Sequence, residues 1–286
     1  MQTTDSTLWR LWLFLALLAI LSLAERLRPG PNPPQRRAQR WPAHLALVVL
    51  DTALARLLLP AGAFGAAVWA QSNGVGLFNL GLINLGLFNL KPDALPMWLQ
   101  ALLSVLLLDL AIYWQHRWLH AVPWLWRLHR THHTDTTLDA SSALRFHPLE
   151  ILLSLAYKCV LAVALGVDPA VLLAFEALLS SFALITHANM SLPPRLDTTL
   201  RWILVTPAMH WIHHSTHRDE QQRNFGFHLS VWDRLFGSYA EAARDRPQSF
   251  GVEGVELTRA TRIVALLREP FRDDPAAPST GDVKVA

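Results

Sequence analysis

Residues 97–120, MWLQALLSVLLLDLAIYWQHRWLH, decide the fold of this chain. Their apolar part, residues 97–115, approaches the about 20 residues that a helix needs to cross a bilayer. His116 and His120 follow at once, and their spacing puts them on one face of a helix. The pattern predicts one helix that spans the membrane and carries two imidazoles out of it in its last turns.

Two further histidine clusters lie downstream, and 11 of the 13 histidines fall between His116 and His217. Spacings of three and four residues again place the side chains on one helix face, about 5–6 Å apart. Neutral imidazole is a common ligand for transition metals. The three clusters together contain eight histidines, which is more than the four ligands of a structural zinc site. We therefore predict a metal centre with more than one ion. The clusters are His116/His120, His129/His132/His133 and His210/His213/His214.

Composition points to the membrane, because 52% of the residues are hydrophobic and only 16% are charged. Five apolar runs stand out, and the last two are short enough to form a hairpin. The fold class we expect is an all-α integral-membrane protein with about four transmembrane segments and a helical cap that carries the histidines. The first run also resembles a signal peptide, but the arginines downstream favour an uncleaved anchor. The runs are residues 11–23, 45–70, 97–115, 151–165 and 170–186.

Arginine placement predicts the orientation. The Pro/Arg-rich segment 25–44 follows the first run, and positive segments stay in the cytoplasm. This rule puts all three histidine clusters and the C-terminus on the cytoplasmic side, and the Ala/Leu/Arg-rich composition favours a bacterial inner membrane. The net charge of +3 suits anionic lipid headgroups, and we expect no nucleic-acid partner.

Three regions are expected along the chain: a membrane anchor region with its linker at 1–96, a catalytic domain at 97–240 and a C-terminal tail at 241–286 that is disordered from Asp273. The repeat at 76–90 is read as a loop without an assigned function. Residues 124–133 and 200–214 should each form a short helix, the second irregular around Pro207. Six tryptophans suit an interfacial belt: Trp114, Trp118, Trp124, Trp126, Trp202 and Trp211.

The side chains available limit the chemistry. Cys159 is the only cysteine, which excludes disulfides, a CxxC redox pair and an iron–sulfur ligand set. A metal centre at the membrane surface suggests a lipid substrate, and oxidation of an unactivated C–H bond needs dioxygen and a redox metal, so iron is favoured over zinc. Carboxylates should accept hydrogen bonds from the ligand imidazoles. The candidates are Asp109, Asp135, Asp139, Glu150, Asp197, Asp219 and Glu220.

From about Leu99 to Tyr239 the chain resembles the fatty acid hydroxylase / sterol desaturase superfamily of integral-membrane enzymes. The segments that carry the resemblance are HRWLH (116–120), LHRTHH (128–133), RFHPLE (145–150), THANMSLP (186–193), MHWIHHSTHRDE (209–220), NFG (224–226) and LSVWDRLFGSY (229–239). Some members have a second histidine one turn after the position of His187, where this chain has Ser191.

The resemblance implies a non-haem centre of two iron ions that activates dioxygen, with zinc as an alternative metal in isolated protein. It implies electrons from a separate cytochrome b5-like or ferredoxin-like protein, and no catalytic residue beyond the ligands. His147 and His217 stay open as ligands. Carried onto this sequence, the ligands are His116, His120, His129, His132, His133, His187, His210, His213 and His214.

Four functions compete on these residues. The first is a monooxygenase that hydroxylates a lipid such as a sterol or fatty acyl chain during lipid biosynthesis, and the second is a desaturase on the same scaffold. A metal transporter would need ligands near the bilayer midplane, whereas these clusters lie at helix ends. A zinc hydrolase would use the same ligands, but the sequence has no HExxH-type base. We favour hydroxylation.

Overall fold

A computed structural model describes residues 3–30, 37–79, 96–241 and 249–272. Within these ranges the chain is helical, and β-pairing is limited to three isolated bridges. The all-α prediction is therefore confirmed. Most of the repeat at 76–90 and the tail from Asp273 lie outside the described residues, as does part of the Pro/Arg-rich linker.

The long helices are α1 (Thr3–Leu27), α2 (Arg37–Leu58), α3 (Gly62–Ser72), α4 (Met97–Ala121), α5 (Pro123–His133), α6 (Pro148–Leu165) and α7 (Pro169–His187). The short ones are α8 (Pro194–Leu200), α9 (Pro207–His213), α10 (Arg218–Gln221), α11 (Val231–Leu235), α12 (Leu257–Ala260) and α13 (Ile263–Arg268). Two 3-10 turns, Ala140–Leu144 and Glu269–Phe271, complete the described helical structure.

Five helical segments are long and apolar enough to cross a membrane, and they coincide with the five apolar runs of the sequence. In the most apolar window of each, only 11–28% of the residues are buried inside the protein. Apolar side chains left uncovered over such lengths face lipid rather than water, so the chain is an integral-membrane protein. The segments are Leu8–Leu27, Arg37–Ser72, Met97–Ala121, Pro148–Leu165 and Pro169–His187.

The chain forms two compact units. The first comprises residues 1–49, 112–147 and 179–286, and its apolar core joins Leu18 and Leu21 of α1 to Leu184 of α7. The second comprises residues 50–111 and 148–178, in which α3 packs on α6. All nine predicted ligands belong to the first unit.

Prolines set the beginnings of the helices that carry the histidines. Pro123 is the first residue of α5, as expected, because a proline at that position loses no helical hydrogen bond. Pro207 likewise begins α9, where the Thr206 hydroxyl accepts from the Met209 N–H. The single irregular helix predicted for 200–214 is therefore wrong: α8 ends at Leu200, and a separate helix starts at the proline.

Five of the six tryptophans expected at the interface are either exposed or buried, and the sixth, Trp114, is half-buried. Trp118, Trp124 and Trp202 are 46–65% exposed, as an interfacial residue should be. Trp126 and Trp211 are buried, so the interfacial interpretation is wrong for these two. Both pack inside the first unit because the short helices α5 and α9 turn these faces inward.

Candidate metal centre

Four helices bring the predicted ligands together. The end of α4 supplies His116 and His120, α5 supplies the second cluster, α7 ends on His187, and α9 with the residue after it supplies the third cluster. Every one of these imidazoles is buried. Clusters that are separate in sequence thus converge on one place inside the protein.

The nine histidines form two groups, and within each group the candidate ligand nitrogens all lie within 4.8 Å of one another. The five-histidine group is His116, His120, His129, His133 and His213. The four-histidine group is His132, His187, His210 and His214. His187, which stands alone in the sequence, is thereby placed among the clustered histidines.

Helix geometry explains how each HxxHH run is divided. In α5, His129 and His133 are one turn apart and join the same group, whereas His132 turns to the other. At α9 the pattern reverses, because His210 and His214 join the four-histidine group while His213 joins the five-histidine group. Each HxxHH run therefore contributes two histidines to one group and one histidine to the other.

The two groups are adjacent. The rings of His133 and His214 stack across the boundary with centroids 4.4 Å apart. His213 and His214 meet edge to face at 5.4 Å, as do His132 and His133 at 5.5 Å. Two ions held by these groups would therefore be close neighbours in one buried centre.

Main-chain carbonyls set the tautomer of three imidazoles. Because a carbonyl can only accept, the ring nitrogen facing it must carry the proton and the other nitrogen must present its lone pair. The Nδ1 of His116 donates to Phe225 O at 2.8 Å, and that of His213 donates to Arg223 O at 2.8 Å. In α7, His187 Nδ1 donates to Ala183 O at 2.7 Å. These bonds leave Nε2 as the ligand atom.

Burial keeps the imidazoles neutral. It lowers the pKa of His213 to about 3. Burial, with added repulsion from neighbouring imidazoles, holds the pKa of four further histidines well below the ordinary value; these are His132, His133, His210 and His214. At neutral pH these rings therefore keep lone pairs that can bind a metal.

Unsatisfied ring nitrogens support metal binding. Among the described residues, His120 and His133 are fully buried with no hydrogen-bond partner on either ring nitrogen. Buried polar groups normally have a hydrogen-bond partner, and each one left without a partner lowers the stability of the fold by about 1–3 kcal/mol. A metal ion would satisfy one nitrogen of each ring.

Spacing in the four-histidine group fits shared ligation. The Nε2 atoms of His132 and His187 are 3.0 Å apart, and His210 Nε2 lies 3.1 Å from those of His187 and His214. Ligands at right angles around an ion with bonds of about 2.1 Å would be separated by about 3 Å. The nine nitrogen donors suit iron, zinc, nickel or copper(II), and the groups contain no thiolate.

Two histidines that the sequence left open lie outside both groups. The Nε2 of His147 donates to Leu267 O at 3.2 Å, which uses the nitrogen in a contact with the C-terminal segment. His217 precedes α10 at its N-cap position without a side-chain capping hydrogen bond, and it is partly exposed.

Aromatic side chains line the centre. Phe146 stacks on His132 with ring centroids 4.5 Å apart and planes 7° apart. Phe225 lies 5.2 Å from the ring of His120. Trp126 packs against His120 and His133 at 4.9 and 5.3 Å. These rings exclude water from the histidines and lower the local dielectric.

Three of the seven carboxylates expected to orient the ligands bind arginines instead. Asp135 and Asp139 bind the guanidinium of Arg40, and Asp197 pairs with Arg201. Burial would raise the pKa of Asp135, but Arg40 and Arg145 hold it below its usual range. For the three oriented imidazoles above, the acceptors are carbonyls instead, so the carboxylate prediction is wrong there.

Sequence reasoning missed residues of the two N-terminal helices that bond to the segments following the second cluster and His187. The Oε1 of Glu25 accepts from the N–H groups of Ala140 and Asn189, both at 2.8 Å. His44 is buried, its Nδ1 lies 2.9 Å from Ser141 Oγ, and its Nε2 accepts from Arg145 Nη1 at 3.2 Å. These pairs are 97–164 residues apart, so no local spacing signals them.

Comparisons with known proteins show which proteins this chain is similar to. Residues 101–238 match the family model described as "Fatty acid hydroxylase". An ornithine lipid hydroxylase of Rhizobium tropici is 28% identical over 265 residues, which cover 92% of this chain and 76% of that protein. The alkylglycerol monooxygenase of Homo sapiens is 36% identical over 145 residues, covering 50% of this chain and 30% of that protein.

A third relative, named as a Delta(7)-sterol-C5(6)-desaturase of Arabidopsis thaliana, is 30% identical over 148 residues, covering 48% of this chain and 46% of that protein. The chain thus spans about three quarters of the first relative and less than half of the other two. No solved structure matches the chain. All nine clustered histidines lie inside the matched segment. This chain therefore carries a domain of the fatty acid hydroxylase family.

Proposed function

We propose that this chain is a membrane-bound, dioxygen-dependent oxidoreductase that hydroxylates a C–H bond of a membrane lipid. The observation that carries the proposal is the pair of adjacent, buried histidine groups, five and four imidazoles, to which the ends of two membrane-spanning helices contribute His116, His120 and His187. The relatives support the same class, since two are named as lipid hydroxylases or monooxygenases.

The nine histidines hold two iron ions, one in each group. Two bound iron ions would supply the redox chemistry that activates dioxygen. The donor set fits iron because imidazole suits that metal and neither group contains a thiolate. Two groups that share no residue favour two ions over one. The ligand assignment covers all nine clustered histidines.

The protein's own residues then do three things. Carbonyls of Arg223, Phe225 and Ala183 fix which nitrogen of three imidazoles faces the metal. Burial keeps five of the imidazoles unprotonated, those of His132, His133, His210, His213 and His214, and the aromatic rings of the centre exclude water. A dry site strengthens the interaction of every ligand with the metal and limits loss of the oxidant to side reactions.

The lipid reaches this centre from the bilayer. His116 and His120 lie in the last turns of α4, and His187 is the last residue of α7, so a lipid lying along these helices would present a chain carbon near the metals. We place the catalytic domain at residues 97–240, with an anchor region at 1–96 and a tail at 241–286. The arginine pattern favours an orientation with the histidines on the cytoplasmic side, and the Ala/Leu/Arg-rich composition favours a bacterial inner membrane. Electrons would come from a separate cytochrome b5-like or ferredoxin-like protein.

Substitution of single ligands tests the proposal. His132→Ala removes a ligand from one group and His213→Ala removes one from the other. Each should abolish lipid hydroxylation in cells while the protein still inserts into the membrane. His217→Ala is the matched control, because this histidine lies in the same segment but outside both groups. Full product formation by both ligand variants would refute the two-metal centre.

A desaturase is the second candidate, and the Arabidopsis thaliana relative named as a sterol desaturase favours it. Both reactions would use the same metal ligands, so only the product separates them. A new double bond without added oxygen indicates desaturation. A zinc hydrolase would instead be indicated by protein that contains only zinc after growth with ample iron.

A further inference from the structure

One turn of the chain, residues 223–226, bonds two ligands that come from different helices. The carbonyl of Phe225 accepts from His116 of α4, and the carbonyl of Arg223 accepts from His213 of α9, both at 2.8 Å. Both histidines belong to the five-histidine group. The position of this turn therefore sets the ligand nitrogen and ring orientation of two of the five imidazoles.

The side chain of Asp233 holds the turn in place. Its Oδ1 accepts from the Phe225 N–H at 2.7 Å, and its Oδ2 accepts from the Gly226 N–H at 2.9 Å. Asp233 is fully buried. A Cβ added at Gly226 would lie 2.7 Å from Asp233 Oδ2, so the turn closes tightly around the carboxylate.

A hydroxyl pair ties the same carboxylate to α4. Ser238 Oγ donates to Asp233 Oδ1 at 2.7 Å and lies 2.8 Å from the hydroxyl of Tyr113. Tyr113 is buried three residues before His116, on the same face of α4. The helix and the turn that serve His116 are thus joined through Asp233.

Asn224 ties the turn to α9. It is the described non-glycine residue with positive φ, at 55°, a conformation that asparagine tolerates better than most residues. Its Nδ2 donates to Met209 O at 3.1 Å and to Ala240 O at 3.0 Å. Met209 directly precedes His210, so this side chain links the turn to the helix of the third histidine cluster.

We propose that Asp233 is a positioning residue that sets the metal affinity of the five-histidine group through the carbonyls of the 223–226 turn. The inference rests on the proposed function, because it assumes that the histidines bind metal. It deepens that function by assigning a selective role to the turn. In the four-histidine group, the carbonyl that orients His187 belongs to Ala183 of its own helix and is independent of Asp233.

The substitution Asp233→Asn tests this role. Asparagine has nearly the same shape as aspartate but only one acceptor oxygen. Its NH2 group must therefore face the N–H of either Phe225 or Gly226, and the hydrogen bond from that N–H is lost. Loss of an outer hydrogen-bond partner typically weakens metal affinity by about 10–100-fold. After mild chelation, the variant should keep about one iron per chain where the unmodified protein keeps two.

Asp197→Asn is the matched control, because it makes the same chemical change at a buried carboxylate that pairs with Arg201 rather than with the turn. The Mössbauer spectrum of isotopically enriched iron gives a readout that does not depend on activity. In Asp233→Asn, one of the two iron signals should be lost or shifted, and the other should remain. The control should keep both signals unchanged.

The outcomes separate this inference from the proposed function. If Asp233→Asn keeps both ions with unchanged spectra, or loses both equally, the positioning role is refuted. If it fails to fold, Asn224→Gly decides by the same criteria, since glycine keeps the positive φ but loses the side-chain bonds. If the unmodified protein and the control both bind fewer than two ions, the two-metal proposal is wrong, and the positioning role falls with it.

Discussion

Replacing Arg40 with methionine should destabilise the first unit more than any surface change. The Arg40 side chain is fully buried and binds Asp135 through two bonds, Nε to Oδ1 at 2.9 Å and Nη2 to Oδ2 at 2.6 Å. Its Nη1 donates to Asp139 at 2.9 Å. Methionine keeps much of the volume but leaves two buried carboxylates without this cation.

Removal of one partner from a buried ion pair typically costs about 3–5 kcal/mol. The lower end applies here, because other cations remain near both carboxylates. Arg37 Nε lies 3.5 Å from Asp139, and Arg145 still acts on Asp135. We therefore expect Arg40→Met to lower the free energy of unfolding by about 3 kcal/mol.

Reversible unfolding in detergent micelles measures this change. Arg195→Met on α8 is the control; Arg195 is exposed, belongs to the first unit and lies outside the membrane-spanning segments, so its replacement should alter stability by less than about 0.5 kcal/mol. The double variant Arg40→Met with Asp135→Asn should lose less stability than the sum of the two single variants, because a neutral amide no longer needs the cation. A loss below about 1 kcal/mol for Arg40→Met, or strict additivity in the double variant, would refute this account of the network.

Two further predictions concern the ligands and the orientation. His187→Ala should remove the ion of the four-histidine group and abolish lipid oxidation. His147→Ala should keep both ions, because His147 lies outside both groups. Metal analysis of the two purified variants checks this prediction, and equal metal loss in both would contradict the grouping. Accessibility tags at residue 35 and at the C-terminus should both report the cytoplasm; a periplasmic signal from either would overturn the orientation.

Local periodicity explains why most of the site could be predicted from sequence. His116 with His120, and His129 with His133, are spaced by one helical turn, so their convergence follows from helix geometry alone. The division of each HxxHH run between two groups could not be predicted, because it depends on how α5 and α9 face each other. His187 has no partner at helical spacing, and only the family resemblance selected it.

The supporting structure was less predictable for a physical reason. Carbonyl oxygens orient His116, His187 and His213, and every residue has a carbonyl, so the sequence carries no signal for these acceptors. Arg40 and Asp135 lie far apart in the chain, and their pairing depends on tertiary packing. In the sequence, Arg40 belonged to the arginine-rich segment that predicted the orientation, and Asp135 was a candidate acceptor for an imidazole N–H. In the structure, the two side chains form an ion pair with each other.

The source of the oxygen in the lipid product tests the central claim most directly. Cells that make the protein are grown under isotope-labelled dioxygen, and their lipids are compared by mass spectrometry with those of cells that make His132→Ala. The account predicts a hydroxylated lipid that carries one labelled oxygen atom and is absent from the variant. A product whose oxygen comes from water, or the same product from the variant, would contradict it.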